Sequence, residues 1–537
     1  MLCARLDGKG TWSMRIHLDF PIGGHPLLGT FGARTLKDLE LAQRVGMNLV
    51  FGGAGLLDCT TQEGRYCLEH GIRVMYPIAG HIHGRPRLVR GIGVDETEIP
   101  IADGNPVPGP AALLADEEVI GYEEATRDSL LGCRRGLDGT KATEHELSTI
   151  LFWPEPLAHD IAQVKDSPNL WGYWALDDSP GYALSAMRGL YRTVRKVDDK
   201  HHPVCGGYSG ATTLRNFGPG TCDIMGFYFY PFLKDRYERT MNSYDTQWIL
   251  TDARKRVPGI PFIGIYQGFW EAEDSKRGVN QQGSLTPKEI REQIEDFVRE
   301  GASGLVGFAL LGDEAGELRG WNSDESVVRE LRRINREILR TGGLRIAREP
   351  RSMARARIQP HGFYRNPREV PGIVPAWQII GPFDAANGCL DVPFPPDSEV
   401  NLSASYPGKG IEAAWRRYQS YAGAVGLLEI FGSVEYVKQS MAYAVCKVTS
   451  PRRMKVQMRF GSDDDALVRF NGREVWRHEG SRGVHFDSDT VPVALERGET
   501  TILVKVYNRE GQWGFFLRFT DVQGHPLKGL AFSPEAA

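Results

Sequence analysis

The alternation of apolar and polar positions splits the chain into two parts of different period. Over the first 340 or so residues, short apolar runs alternate with amphipathic stretches. That rhythm of strand then helix builds a parallel α/β sheet. It predicts strands at 27–32, 48–53, 72–78, 170–176, 204–208, 224–230, 262–267 and 304–310. Eight strands, each followed by a helix, close a (β/α)8 TIM barrel. From about residue 376 the period shortens, with runs at 454–460, 466–470 and 501–507 separated by Gly, Asn and Asp turns. No long helix intervenes, which predicts an all-β antiparallel sandwich of jelly-roll-like kind.

Helix starts support the first half of this reading. Thr60-Thr61-Gln62-Glu63 has the form of a capping box, and so does Thr286-Pro287-Lys288-Glu289, with proline at the first helical position. Ser179-Pro180 repeats the cap-then-proline signal directly after strand four. Val327, Val328, Leu331, Ile334 and Ile338 form one apolar stripe on the last barrel helix.

Two segments break the pattern. Residues 84 to about 146 are rich in Gly, Pro and charge and follow strand three. Loops after barrel strands rim the active face, so this insertion is expected to shape a substrate cleft, with a peripheral decoration as the alternative. Between residues 340 and 368 eight arginines face one glutamate. A solvated linker is the expectation there, ahead of an anionic-ligand patch. The predicted domains are therefore a barrel over 1–345 carrying the 84–146 insertion, a linker over 346–374, and a sandwich over 375–537.

Composition changes the picture mainly by exclusion. With 64 Lys plus Arg against 68 Asp plus Glu, the chain lacks the basic excess of a nucleic-acid binder. No apolar run approaches the ~20 residues of a membrane-spanning helix, so no membrane partner is expected. The N-terminus lacks the apolar core of a signal peptide, so the expected location is cytoplasmic, or periplasmic or secreted if a signal has been removed. Eight cysteines occur without a C-x-x-C pair, which favours free buried thiols.

The chemistry concentrates after strand four, in Trp171-Gly-Tyr-Trp-Ala-Leu-Asp-Asp-Ser-Pro180. An apolar strand ends there in two carboxylates at the barrel's C-terminal mouth, where barrel enzymes keep their catalytic groups. Consecutive strand residues point to opposite faces, so one of Asp177 and Asp178 enters the mouth. A neighbouring like charge and aromatic walls raise a carboxyl pKa, as a general acid needs, whereas the following helix N-terminus lowers it. Glycosidic hydrolysis also needs a second carboxylate. Strand seven ends in Gln267, with Glu271, Glu273 and Asp274 farther out, and strand eight is followed by Asp313 and Glu314.

Aromatics crowd the same mouth, among them Trp174, Tyr208, Tyr228, Tyr230, Tyr266 and Trp270. Their flat faces suit the apolar faces of sugar rings. His81 and His83 have metal-ligand spacing, but a metallohydrolase barrel would also need further His, Asp or Lys ligands at other strand ends, and His201-His202 precedes strand five at the wrong end. The pair is expected to hydrogen-bond substrate, as is Gln267. No metal and no cofactor are expected.

Two blocks carry a family resemblance. With WGYWALDDSPG after strand four, DIMGFYFYPF on strand six and PFIGIYQGFW on strand seven, the barrel resembles the glycoside hydrolase superfamily of (β/α)8 barrels. Members carry an Asp-Glu-Pro or Asn-Glu motif at the end of strand four whose glutamate is the general acid. The resemblance implies Asp178 in that role, with Asp177 as the alternative. It also implies a nucleophilic glutamate at the end of strand seven, where this chain departs from the pattern with Gln267. The C-terminal block, with WQIIGPF, FGSDDD, FNG and VKVYN followed by GQWGF, is similar to galactose-binding-like β-sandwich modules appended to bacterial sugar hydrolases. Asp463, Asp464 and Asn471 there suit either a calcium ion or a sugar hydroxyl, with turn-making as the plainer role.

These readings converge on a bacterial glycosidase that cleaves an oligo- or polysaccharide by carboxylate acid/base catalysis. Its partner would be its carbohydrate substrate, with self-association into a homo-oligomer left open. A water-sized gap between the two carboxylates would mean inversion, and closer placement retention. The alternatives are a non-catalytic glycan-binding protein on a degenerate barrel, suggested by Gln267, and a metal-dependent hydrolase using His81 and His83.

Overall fold

A computed structural model describes residues 3–6, 12–18, 26–82, 85–102, 104–145, 149–177, 184–208, 220–229, 259–271, 285–312, 318–346, 372–386, 390–419, 424–431, 434–484, 488–523, 525, 527 and 529–534. By its internal contacts the chain divides into two compact units. The first comprises 1–83, 152–179 and 186–356, and the second 84–151, 180–185 and 357–537.

The first unit holds a closed barrel of eight parallel strands. They are β1 (Leu27–Thr30), β2 (Leu49–Phe51), β3 (Arg73–Pro77), β4 (Leu170–Leu176), β5 (Val204–Tyr208), β6 (Ile224–Phe229), β7 (Phe262–Gln267) and β8 (Gly304–Phe308). Each lies within a predicted strand segment. The ring closes where β8 pairs with β1, setting Gly304 opposite Leu27. Helices follow β1, β2, β3, β4, β7 and β8: α1 (Leu36–Val45), α2 (Gln62–His70), α3 (Pro154–Val164), α4 (Leu184–Val197), α5 (Pro287–Arg299) and α6 (Glu325–Thr341). The segments after β5 and β6 lie largely outside the described residues, as does the predicted cap at Ser179.

Helix α5 starts at the predicted capping box, in which Thr286 and Glu289 each accept from the other's backbone N–H. All five stripe residues of α6 are buried. Helix α2 starts one residue later than predicted. Its cap is Thr61, whose hydroxyl accepts from the Gly64 N–H at 2.9 Å, so Glu63 is not the capping carboxylate.

Inside the barrel, Leu27, Leu49, Met75, Ile263, Ile265 and Val306 share one buried cluster with Trp174 and Tyr228. Period-2 alternation sends their strand neighbours outward onto the helices. At Gly264, for example, an added Cβ would lie 2.3 Å from the Phe297 ring of α5.

The second unit is antiparallel β-structure. Its C-terminal part stacks a seven-stranded sheet on a four-stranded one, matching the predicted sandwich. Ala442, Ala444 and Cys446 of Ser440–Ser450 face the inter-sheet core with Phe460, Phe515 and Phe519. The intervening Met441, Tyr443 and Val445 are buried on the opposite face, against Phe383 and Leu390. Residues 85–145 form two further four-stranded sheets, the second completed by Leu151–Phe152. The insertion makes its contacts in this unit: buried Arg87 donates to the Phe431 carbonyl at 3.1 Å and lies over the Tyr436 ring.

The described cysteines 59, 67, 133, 205, 222 and 446 are free thiols, and burial pushes Cys67 up to about 11. Among the described residues no helix is long and apolar enough to cross a membrane.

Candidate active site

The C-terminal ends of the barrel strands bring Trp174, Tyr228 and Asp177 together. Strand β4 turns Trp174 into the barrel, where its indole fills a slot left by two glycines on neighbouring strands. A Cβ on Gly207 would sit 2.6 Å from the ring, and one on Gly226 2.7 Å from it. The alternation that places Gly226 inward also places Tyr228 inward, two residues on. Its hydroxyl donates to Asp177 Oδ1 at 3.3 Å, and Asp177 itself is exposed.

Trp174, expected in the mouth, packs there on Phe31 and Phe51, which sequence inspection missed. Phe31 and Phe51 stack with centroids 3.6 Å apart, and Trp174 meets their edges at 5.8 and 5.2 Å. Phe308 packs on Phe31 at 5.2 Å. Each such ring buries apolar surface worth about 1.5–3 kcal/mol, so barrel packing alone accounts for much of the cluster. The Trp174 Nε1–H is buried and has no acceptor among the described residues. The signal for Phe31 and Phe51 was available, since they continue the inward-facing positions of β1 and β2 at steps of two.

Over β1 and β2 the mouth opens into a cleft of about 460 Å³, lined in part by Phe31, Phe51, Arg34, Thr61 and Glu63. Glu63, in the first turn of α2 and outside its cap, is among the residues that line this cleft.

Other expected site residues are placed differently. Tyr266 alternates with the inward-facing Ile265, so it turns outward and is buried, with its hydroxyl beside Gly307. Burial pushes its phenol well above the usual range. This corrects its expected place in the mouth. Gln267 is fully buried and committed to the fold: its Nε2 donates to the Phe269 carbonyl at 3.1 Å and its backbone N–H to Gln293 Oε1 at 2.8 Å. Trp270 is also buried, in a two-stranded ribbon opposite Arg319.

His81 ends a short turn after β3, and its Nε2 lies 2.8 Å from Asp160 Oδ2 on α3. Burial, and secondarily Asp160, raise the nearby Tyr76 phenol. Asp178, His83, Tyr230, Asp313 and Glu314 lie outside the described residues, as do the side chains of Tyr208 and Glu271.

Among the described residues no group of three or more His, Cys, Asp or Glu could hold a metal ion. In the sandwich, Asp464 is occupied by protein donors: Ser481 Oγ and the Arg482 N–H on Oδ1, and the Arg509 N–H on Oδ2. Asn471 takes the turn-making role, with a positive φ and its Oδ1 accepting from the Thr501 N–H.

No protein-family model matches the sequence, and no curated protein matches it. Similar solved structures include a cold-adapted β-galactosidase from Rahnella sp. R3, 11% identical, covering 61% of this chain and 58% of that one, with a TM-score of 0.38. A β-glucuronidase from an uncultured Clostridium sp. is 11% identical over 61% of this chain and 57% of its own, with a TM-score of 0.37. A PA14 sugar-binding domain from an RTX adhesin is 16% identical over 16% of this chain and 48% of its own, with a TM-score of 0.15. This chain thus spans less than two thirds of the solved chains it matches. The barrel itself is established by its own strand register.

Proposed function

We propose that the protein is a glycoside hydrolase that cleaves an oligo- or polysaccharide by carboxylate acid/base catalysis. The observation that carries this reading is the delivery of Asp177, the residue before Asp178 in the sequence, to an aromatic-floored barrel mouth. Strand β4 ends beside Trp174, and Asp177 is held by Tyr228 from β6. A carboxyl group at such a mouth can give a proton to a leaving oxygen, and aromatic rings can carry the sugar's C–H face. The indole N–H of Trp174, without an acceptor among the described residues, offers a donor to a ligand oxygen.

In this reading Asp178 is the proton donor, Asp177 its alternative, and Glu271 or the Asp313/Glu314 pair the second carboxylate. His81 orients substrate with its far nitrogen fixed by Asp160. No cofactor is called for. Comparing Asp177→Asn with Asp178→Asn on aryl-glycosides and polysaccharides assigns the donor. Full turnover in both variants would overturn it.

A second reading is favoured by Gln267. The chain has an amide where a carboxylate nucleophile is expected; that amide donates to the Phe269 carbonyl, while the residue's backbone N–H and carbonyl pair with the buried Gln293 side chain. A glycan-binding protein on a catalytically silent barrel would show sugar affinity without turnover.

A further inference from the structure

The cleft over β1 and β2 has a chemical preference of its own. Its floor is the Phe31–Phe51 stack, and its volume of about 460 Å³ falls within the ~300–1,000 Å³ of small-ligand pockets. Thr61, on its wall, is committed: its hydroxyl donates to the Gly55 and Asp58 carbonyls at 2.8 Å and accepts from the Gly64 N–H. Glu63 is not. It takes no part in the cap of α2, the residue is half-buried, and its carboxylate has no hydrogen-bond partner among the described residues. At Gly53 an added Cβ would meet nothing within 4 Å, so the cleft is open on that side.

We propose that this cleft is a subsite for a neutral pyranose ring, laid on the Phe31–Phe51 stack with its hydroxyls donating to Glu63. An ionised carboxylate accepts and never donates, so its ligand must bring hydroxyl donors. A uronic acid would instead set a second negative charge against it. The edge-on packing of Phe31 and Phe51 against Trp174 joins this floor to the surroundings of Asp177. The subsite thus extends the carbohydrate reading of the mouth and rests on it.

Titration calorimetry of the full-length protein with methyl glucopyranoside, methyl galactopyranoside and the matching uronates tests the assignment. A neutral ring should bind at least tenfold more tightly than its uronate. Glu63→Gln should weaken the neutral ring about tenfold and erase the discrimination, as expected for loss of a charged acceptor. Gly53→Phe, at a lining position where an added Cβ meets nothing within 4 Å, should abolish binding. Uronates binding as well as neutral rings would assign the cleft to Arg34 and overturn the proposal. So would neutral rings that fail to bind wild type, or that bind both variants unchanged. Turnover measured on the same preparations separates the two claims: wild type that binds but never hydrolyses removes the glycosidase and keeps the subsite. Wild type that hydrolyses with KM unchanged in Gly53→Phe removes the subsite and keeps the glycosidase.

Discussion

The hydroxyl of Tyr228, on the sixth barrel strand, donates across 3.3 Å to the carboxylate of Asp177 at the end of the fourth. Tyr228→Phe removes that donor and should cost about 1 kcal/mol of stability. If Asp177 takes part in turnover, kcat/KM falls in the variant while the fold is kept. A kcat/KM identical to wild type would separate the Tyr228–Asp177 pair from the chemistry.

The slot that holds Trp174 is made by absent side chains. Gly226→Ala would place a methyl group 2.7 Å from the indole ring, and the overpacking should cost about 1–3 kcal/mol. Trp174→Phe trims the ring and should recover part of that loss. A double-mutant cycle on thermal unfolding would then show coupling between the two positions. Strictly additive effects would contradict the packing described.

In the second unit, His145 bridges two carboxylates, with Nδ1 and Nε2 each 2.8 Å from Asp116 and Glu118. Only an imidazolium donates at both nitrogens. Burial disfavours that charge, but the two carboxylates outweigh it and raise the histidine above its ordinary 6.5. For Glu118, burial pushes upward, yet Arg135, the Thr143 N–H, His145 and the Gly136 N–H together hold it down at about 2. The raised histidine stabilises fully below pH 6.5 and loses that contribution as pH rises through its folded value. The depressed glutamate stabilises above pH 4.5 and loses that as pH falls toward about 2. Melting temperature measured from pH 2 to 10 should fall on both flanks, and His145→Gln should flatten the alkaline one.

In the sandwich, Lys505 is buried and donates to Asp397 at 2.7 Å and to the Val392 carbonyl at 2.8 Å. The same carboxylate accepts from Tyr443 and from Arg469 at 2.7 Å. Asp397→Asn leaves the buried ammonium without its counter-charge and should cost about 3–5 kcal/mol, read from urea unfolding. Adding Lys505→Met should recover much of it.

The barrel was legible because its strands are apolar runs of the right length, and β1 to β8 all lie within the segments that periodicity selects. Capping chemistry was legible at Thr286, where proline leaves one choice of first helical residue. At Thr60-Thr61 two adjacent hydroxyls compete for the cap, and the second one holds it. Within the site, the error lay in assigning faces. Tyr266 was grouped with the mouth aromatics although Ile265, its neighbour, is the inward residue. Conversely, Phe31 and Phe51 lie at strand ends, where their alternation is read only by counting from Leu27 and Leu49. The pairing of His81 with Asp160 spans 79 residues, and local pattern says nothing at that range.

The most direct test of the proposed chemistry is how the effect of Asp178→Asn depends on the leaving group. Turnover of wild type and variant would be compared on glycosides whose leaving groups range from nitrophenol to a plain alcohol, with folding checked by melting temperature. A general acid is needed most where the departing oxygen is most basic. The expected result is a loss of about 10²–10⁴-fold with the alcohol and a much smaller one with nitrophenol. Equal turnover by both proteins across the series would contradict proton donation from Asp178.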